Sequence, residues 1–131
     1  MASLDATAAG IEKALAEDWS EGDMVRLLAE SVHEFELLDG DDDRSAYLAE
    51  PRMTGDVGWD AALAALAVHL VRRAGLTRTP DWTRAPGRYS PEIRWIGLPE
   101  SSDMQAFVFQ RTPVYFKARG VMLNEANLVS V

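Results

Sequence analysis

The stretch "AALAALAVHLVRRAG", Ala61 to Gly75, constrains this chain more than any other. Its apolar residues recur at helical spacing, which places Leu63, Leu66, Ala67, Leu70 and Val71 on one inward face. The abundant alanine permits close helix contacts. Asp60 stands where an N-cap belongs. Arg72 and Arg73 occupy the last turn, where they complement the helix dipole, and Gly75 supplies the stop. The run Ala61–Leu70 is the longest apolar one and has about half the length of a membrane span. The N-terminal "MASLDATAAGIEKALAEDW" interrupts its apolar spacing with acids, unlike a signal peptide. A soluble, cytoplasmic protein is expected.

Other helices follow from the same periodicity. Ala8, Ile11, Leu15 and Trp19 mark one from about Asp5 to Trp19. Asp23 is an N-cap for a second, with Met24, Leu27, Leu28, Ser31, Phe35 and Leu38 on its stripe and Gly40 as its left-handed stop. A short helix from Asp43 or Ser45 ends before Pro51. Ser102 or Asp103 opens another, through about Gln110, with Met104, Phe107 and Val108 inward. In "TPVYFKARG" Thr112 is the cap, Pro113 the first helical residue and Gly120 the stop, with Phe116 anchored against Phe107. Pro80, Pro86, Pro91 and Pro99 break residues 76–100 into an irregular crossover, pinned by Trp82, Tyr89 and Trp95. "VML" and "NLVSV" are β-prone and predict a small C-terminal ribbon.

The expected fold is therefore mainly α, with four to six helices, a long proline-rich crossover and a small C-terminal β-ribbon. At 131 residues with 47% hydrophobic content, a single domain, 1–131, is expected. Residues 1–50 form an acidic helical hairpin and short helix. Residues 57–131 carry the core helix, the crossover, the C-terminal helices and the terminal strands.

No chemistry-bearing motif stands out. The chain has no cysteine, hence no disulfide, thiolate metal site or cysteine nucleophile. No G-x-S-x-G, Walker or dinucleotide-binding glycine pattern occurs. His33 and His69 lie on different predicted helices and make no zinc motif. His69, inside "LAVHLV", is expected to be partly buried with a backbone partner. "DGDDDRSAYLAE", Asp39 to Glu50, has the acidic spacing of an EF-hand loop, but Arg44 replaces the turning glycine and Pro51 blocks an exiting helix. No metal, no cofactor and no catalytic residue is expected, and the chain does not read as an enzyme.

Charge is more informative. Residues 1–60 hold 16 acidic and 4 basic side chains, a balance of −12, whereas residues 61–131 hold 5 and 9, a balance of +4. The halves either compensate on folding or present faces of opposite sign, one of which steers a partner. Arg72, Arg73, Arg78, Arg84, Arg88 and Arg94, interleaved with Trp82 and Tyr89, could form a strip that reads phosphates in a transcription-regulating or nucleic-acid-binding module. The overall charge of −8 repels a polyanion, so the chain alone is not expected to bind nucleic acid. A basic strip that meets an acidic protein fits better. The candidate partner-binding residues are Arg78, Trp82, Arg84, Arg88, Tyr89, Arg111, Lys117 and Arg119.

A family resemblance carries the reading further. "TGDVGWDAALAALAVHLVRRAGL", Thr54 to Leu76, followed by "TPDW" and "TPVYFKARGVML", resembles a TGD-x-x-WDA-x-LA-x-LA-x-HL … P-x-W … P-x-x-F-x-x-x-G-V pattern. That pattern is associated with actinobacterial regulators of the XRE type and with antitoxin-like proteins. Members often follow a helix-turn-helix, which is not found here. The resemblance implies binding of a cognate toxin, sometimes of nucleotidyltransferase type, and supplies no catalytic residues. An acidic surface suits such a partner, whose nucleotide- or RNA-binding groove must be positive.

Overall fold

The computed structural model describes residues 2–97 and 101–129. Six α-helices run along the chain: α1 (Leu4–Ala16), α2 (Glu21–Glu36), α3 (Asp41–Tyr47), α4 (Val57–Arg73), α5 (Ser102–Arg111) and α6 (Val114–Lys117). Short 3-10 turns lie at Asp81–Arg84, Pro86–Arg88 and Glu125–Leu128, and two strands, β1 (Arg94–Trp95) and β2 (Val121–Met122), complete the described elements. The fold is mainly α, as expected.

Every residue of α4 from Gly58 to Val71 is buried. One inward face was expected, but the helix is enclosed on all sides by α1, α2, α6, β2 and the crossover turns. The alanines make this possible, because a small side chain lets a neighbour approach the helix axis. Around α4 the core draws on residues from Leu4 to Leu128. Each buried leucine or valine contributes roughly 1.5–3 kcal/mol relative to exposure.

Several helix ends differ from expectation, and the cause is a better-placed cap. Asp56 caps α4, its carboxylate accepting from the Trp59 amide at 3.1 Å. Asp60 is instead a buried carboxylate that accepts from the Thr54 amide at 2.7 Å and hydroxyl at 2.8 Å. Ser20, rather than Asp23, caps α2. The first helix stops at Ala16, which leaves Trp19 40% exposed. Gly40 has a φ of −98° and is the N-cap of α3, so it is no left-handed stop.

This early start sends α3 straight through the acidic turn that resembles an EF-hand loop. Tyr47 then faces inward, with its hydroxyl 2.6 Å from Ser31 Oγ and donating to Glu34 at 2.8 Å. A helical backbone here is incompatible with a loop that wraps a cation. Among the described residues no group of three or more histidines or carboxylates is arranged to hold a metal.

The crossover is anchored less by aromatics than by Thr83, Arg88 and Ile96, which are buried, while Trp82, Tyr89 and Trp95 are half-buried. Arg94 lies across the start of α4, where a Cβ on Gly58 would stand 2.6 Å from its Nη1. Its guanidinium pairs with Asp56 at 2.9 Å and with Glu21 at 3.9 Å. β1 then pairs with β2 in parallel, Arg94 opposite Val121 and Trp95 opposite Met122. The terminal ribbon expected between "VML" and "NLVSV" is therefore replaced by this pairing. Asn127 and Leu128 sit in a 3-10 turn, and residues 130 and 131 lie outside the described residues. Gly120, with φ +78°, turns the chain into β2; a Cβ there would stand 2.7 Å from the Ser90 carbonyl oxygen.

Candidate protein interface

The eight candidate residues separate into an interior and a surface group. Arg88 is 1% exposed. It donates to the Pro51 carbonyl at 2.7 Å and more weakly to the Asp60 carbonyl at 3.4 Å, and its guanidinium lies 4.9 Å from the Trp82 ring centroid. Arg119 is 6% exposed and donates to the Thr83 carbonyl through Nε at 3.1 Å and Nη2 at 2.8 Å, and to the Tyr115 carbonyl at 3.0 Å. Burial holds the Arg119 guanidinium below the usual arginine range. Both had been expected on the partner-facing surface. They are cross-links, drawn inward because carbonyls at turns need donors that no regular element supplies. Trp82 and Tyr89 are likewise partly occupied: the Trp82 indole donates to the Leu48 carbonyl at 2.9 Å, and Tyr89 lies under Arg119 at 5.1 Å.

The arginine strip is dispersed accordingly. Of its six members, Arg88 is interior, Arg94 is paired with Asp56, and Arg73 bonds to Glu36 at 3.1 Å. Arg84 is exposed but holds Asp81 at 2.7 Å and Thr79 at 2.8 Å. Arg72 and Arg78 remain exposed, without a carboxylate in ion-pair range among the described residues.

A different surface emerges on α5. Met104 is 51% exposed, Phe107 42% and Phe109 45%, while Val108 alone among its large apolar residues is buried. Met104 and Phe107 were expected to point inward, with Phe116 against Phe107. Phe116 is indeed fully buried, but its ring neighbour is Tyr115, with centroids 5.8 Å apart. Phe107 carries the Arg111 guanidinium 3.8 Å above its ring, and Phe109 carries the Lys117 ammonium at 4.2 Å. The sequence did hold a cue. At 100° per residue Phe107 and Phe109 lie some 200° apart, so one face cannot bury both.

Thr112 fixes α5 relative to the core. It is buried, and its hydroxyl donates to the Val108 carbonyl at 2.7 Å and accepts from the Leu123 amide at 3.0 Å. This pulls Thr112 away from its expected capping role, and α6 begins at Val114 with Pro113 as its cap. The exposed rings thus project from a helix whose C-terminal end is tied to the core, close to the cations that cover them.

Beneath α6 lies a polar pair formed by a buried histidine and a half-buried tyrosine. His69 Nδ1 and Tyr115 Oη are 2.6 Å apart. The His69 partner is thus a side chain and not the expected backbone group. Burial pushes the His69 pKa down to about 4, so the imidazole is neutral near pH 7. Burial also raises the Tyr115 pKa. The pair is a structural tie between α4 and α6.

No described helix is long and apolar enough to cross a membrane. Comparison of the chain with protein-family models, with curated proteins and with solved structures finds no match.

Proposed function

We propose that this chain is an antitoxin-like binding protein that acts in the cytoplasm, neutralising a cognate toxin by protein–protein contact and without catalysis of its own. The observation that carries the reading is helix α5, which leaves Met104, Phe107 and Phe109 exposed on more than one side, with Arg111 over the Phe107 ring and Lys117 over the Phe109 ring. Aromatic, methionine and arginine side chains are the types that concentrate binding energy at interfaces, and lysine and glutamate ordinarily cover surfaces that bind nothing. The resemblance in Thr54–Leu76 and Pro113–Val121 supplies the nature of the partner. The alternative nucleic-acid module has less support, because its arginine strip is spread between core, ion pairs and surface.

The test is co-expression with the product of the adjacent reading frame. That product should co-purify with the chain and lose its toxicity. A Phe107→Asp, Phe109→Ser variant should fold with an unchanged circular dichroism spectrum yet release the partner. Absence of a complex with the unaltered chain, or a complex indifferent to both substitutions, defeats the reading.

A further inference from the structure

A groove of about 520 Å³ opens between the end of α4, the start of the crossover and α6. Three arginines line it, Arg72, Arg84 and Arg119, and among the described residues no acidic side chain does. In a chain of net charge −8 this is a local reversal of sign. Arg119 is 6% exposed and already engaged with the Thr83 and Tyr115 carbonyls, so it adds charge from within, and Arg72 lies 5.2 Å from the Tyr115 centroid without a carboxylate in ion-pair range among the described residues. Arg84 has one, but Asp81 is 97% exposed by side chain and readily exchanged for another acid. Val68, Val71, Leu76 and Val114 give the wall an apolar part, with Val114 65% exposed, and Thr77 and Thr79 add hydroxyls.

We propose that this groove receives an acidic segment of the protein partner, in which carboxylates alternate with aliphatic side chains. This rests on the partner-binding reading above and specifies the chemistry of one contact. Guanidinium groups near the surface take carboxylates in paired hydrogen bonds, and the valine wall removes a neighbouring aliphatic side chain from water. A nucleic acid is a poorer occupant. Among the described residues Tyr115 is the one aromatic ring in the wall and already carries Arg72 over it, and the acidic half of the chain repels a phosphate backbone. Because α6 supplies both Val114 to the groove and Lys117 to the Phe109 ring, the groove adjoins the proposed interface.

The probe is a short fluorescein-labelled peptide alternating leucine with glutamate, titrated by anisotropy at low ionic strength. Controls are its glutamine analogue and a labelled single-stranded oligonucleotide. The acidic peptide should saturate, and the analogue should bind at least tenfold more weakly. Arg72→Glu and Arg84→Glu, both exposed positions, should each weaken the peptide by about tenfold while lowering the thermal unfolding midpoint by no more than a few degrees, since each also gives up a minor surface contact. The proposal is overturned by no saturable peptide binding, by binding indifferent to both charge reversals, or by an oligonucleotide that binds more tightly through the same arginines. The two readings fail separately. A toxin complex that survives R72E and R84E sinks the groove but not the function, whereas peptide binding through the groove without any toxin complex does the reverse.

Discussion

Substitution of Arg88 by methionine separates an interior cross-link from a surface contact. Methionine keeps most of the aliphatic stem and removes the guanidinium. What is lost is the 2.7 Å bond to the Pro51 carbonyl, the stacking on Trp82, and little from the long bond to Asp60. A hydrogen bond from a charged donor contributes about 1.5–3 kcal/mol, and a desolvated cation–π contact up to about 2. Against these stands the cost of a buried charge whose nearest carboxylate, Glu50, is 3.7 Å away and half-exposed, a cost that methionine relieves. The net expectation is a loss of about 2–3 kcal/mol, a large fraction of the ~5–15 kcal/mol typical of folded domains. Urea unfolding followed by circular dichroism should show a midpoint lowered by on the order of 1 M with an unchanged slope. Arg78→Met, at an exposed position, should stay within about 0.5 kcal/mol. An R88M protein as stable as the unaltered chain refutes the stabilising role of the cross-link.

Further consequences can be measured on the purified chain. The folded His69 pKa, about 4, lies below the ordinary 6.5, so the unfolded state binds the extra proton. The His69 contribution is then complete above pH 6.5 and is lost as pH falls towards 4, at most roughly 2 kcal/mol by pH 5; urea unfolding of His69→Gln against pH should be flatter by that amount, and parallel profiles would count against it. Gly120→Ala must both hold φ at +78° and displace the Ser90 carbonyl, and should cost upwards of 1 kcal/mol in thermal unfolding. Gly75→Ala has a similar φ of +71° but open space around it, and should cost less. An equal penalty at both glycines would show that the close approach at Ser90 is unimportant. Association of a partner through Arg72 and Arg84 should slow as salt rises, readable by stopped-flow fluorescence, and a salt-independent rate would argue against steering.

Helix identity was legible from side-chain period, but what lies outside each helix was not. The α4 pattern points to one inward face because periodicity records only large apolar residues. Alanine adds little to such a pattern beyond Ala67, and the alanines on the other sides are what allow neighbours to close over them. Caps failed for a related reason: Asp60 and Asp23 are good capping types, but Asp56 and Ser20 lie one turn upstream and capture the helix first. The site was harder. Arg88 and Arg119 look like Arg78 in the sequence, and only turn carbonyls contributed by distant residues, Pro51 and Thr83, distinguish them. The β1–β2 pairing joins two-residue strands on either side of α5, too short for alternation to reveal. On α5 the spacing shows that Phe107 and Phe109 cannot share a helical face, so one exposed ring was deducible, whereas the exposure of Phe107 was not.

The charge asymmetry resolves into both of its expected outcomes at once. Arg73, Arg88 and Arg94 reach back to Glu36, Glu50 and Asp56, so three of the six arginines between Arg72 and Arg94 neutralise the acidic half of the chain. The remainder do not. Arg72 lies in the last turn of α4, Arg119 follows α6, and Arg111 and Lys117 cover the α5 rings, so most of the positive charge without an acidic partner among the described residues, Arg78 apart, gathers around α6. The arginine at the end of α4 also suits the negative pole of that helix, which gives it a structural reason to be there without a carboxylate partner. A partner with a positive groove and an acidic segment beside it would meet the −12 half with the one and the α6 region with the other. Either contact alone is weak and screened by salt, but two of opposite sign admit only one orientation, so what the dipole supplies is the choice of pose and partner more than affinity.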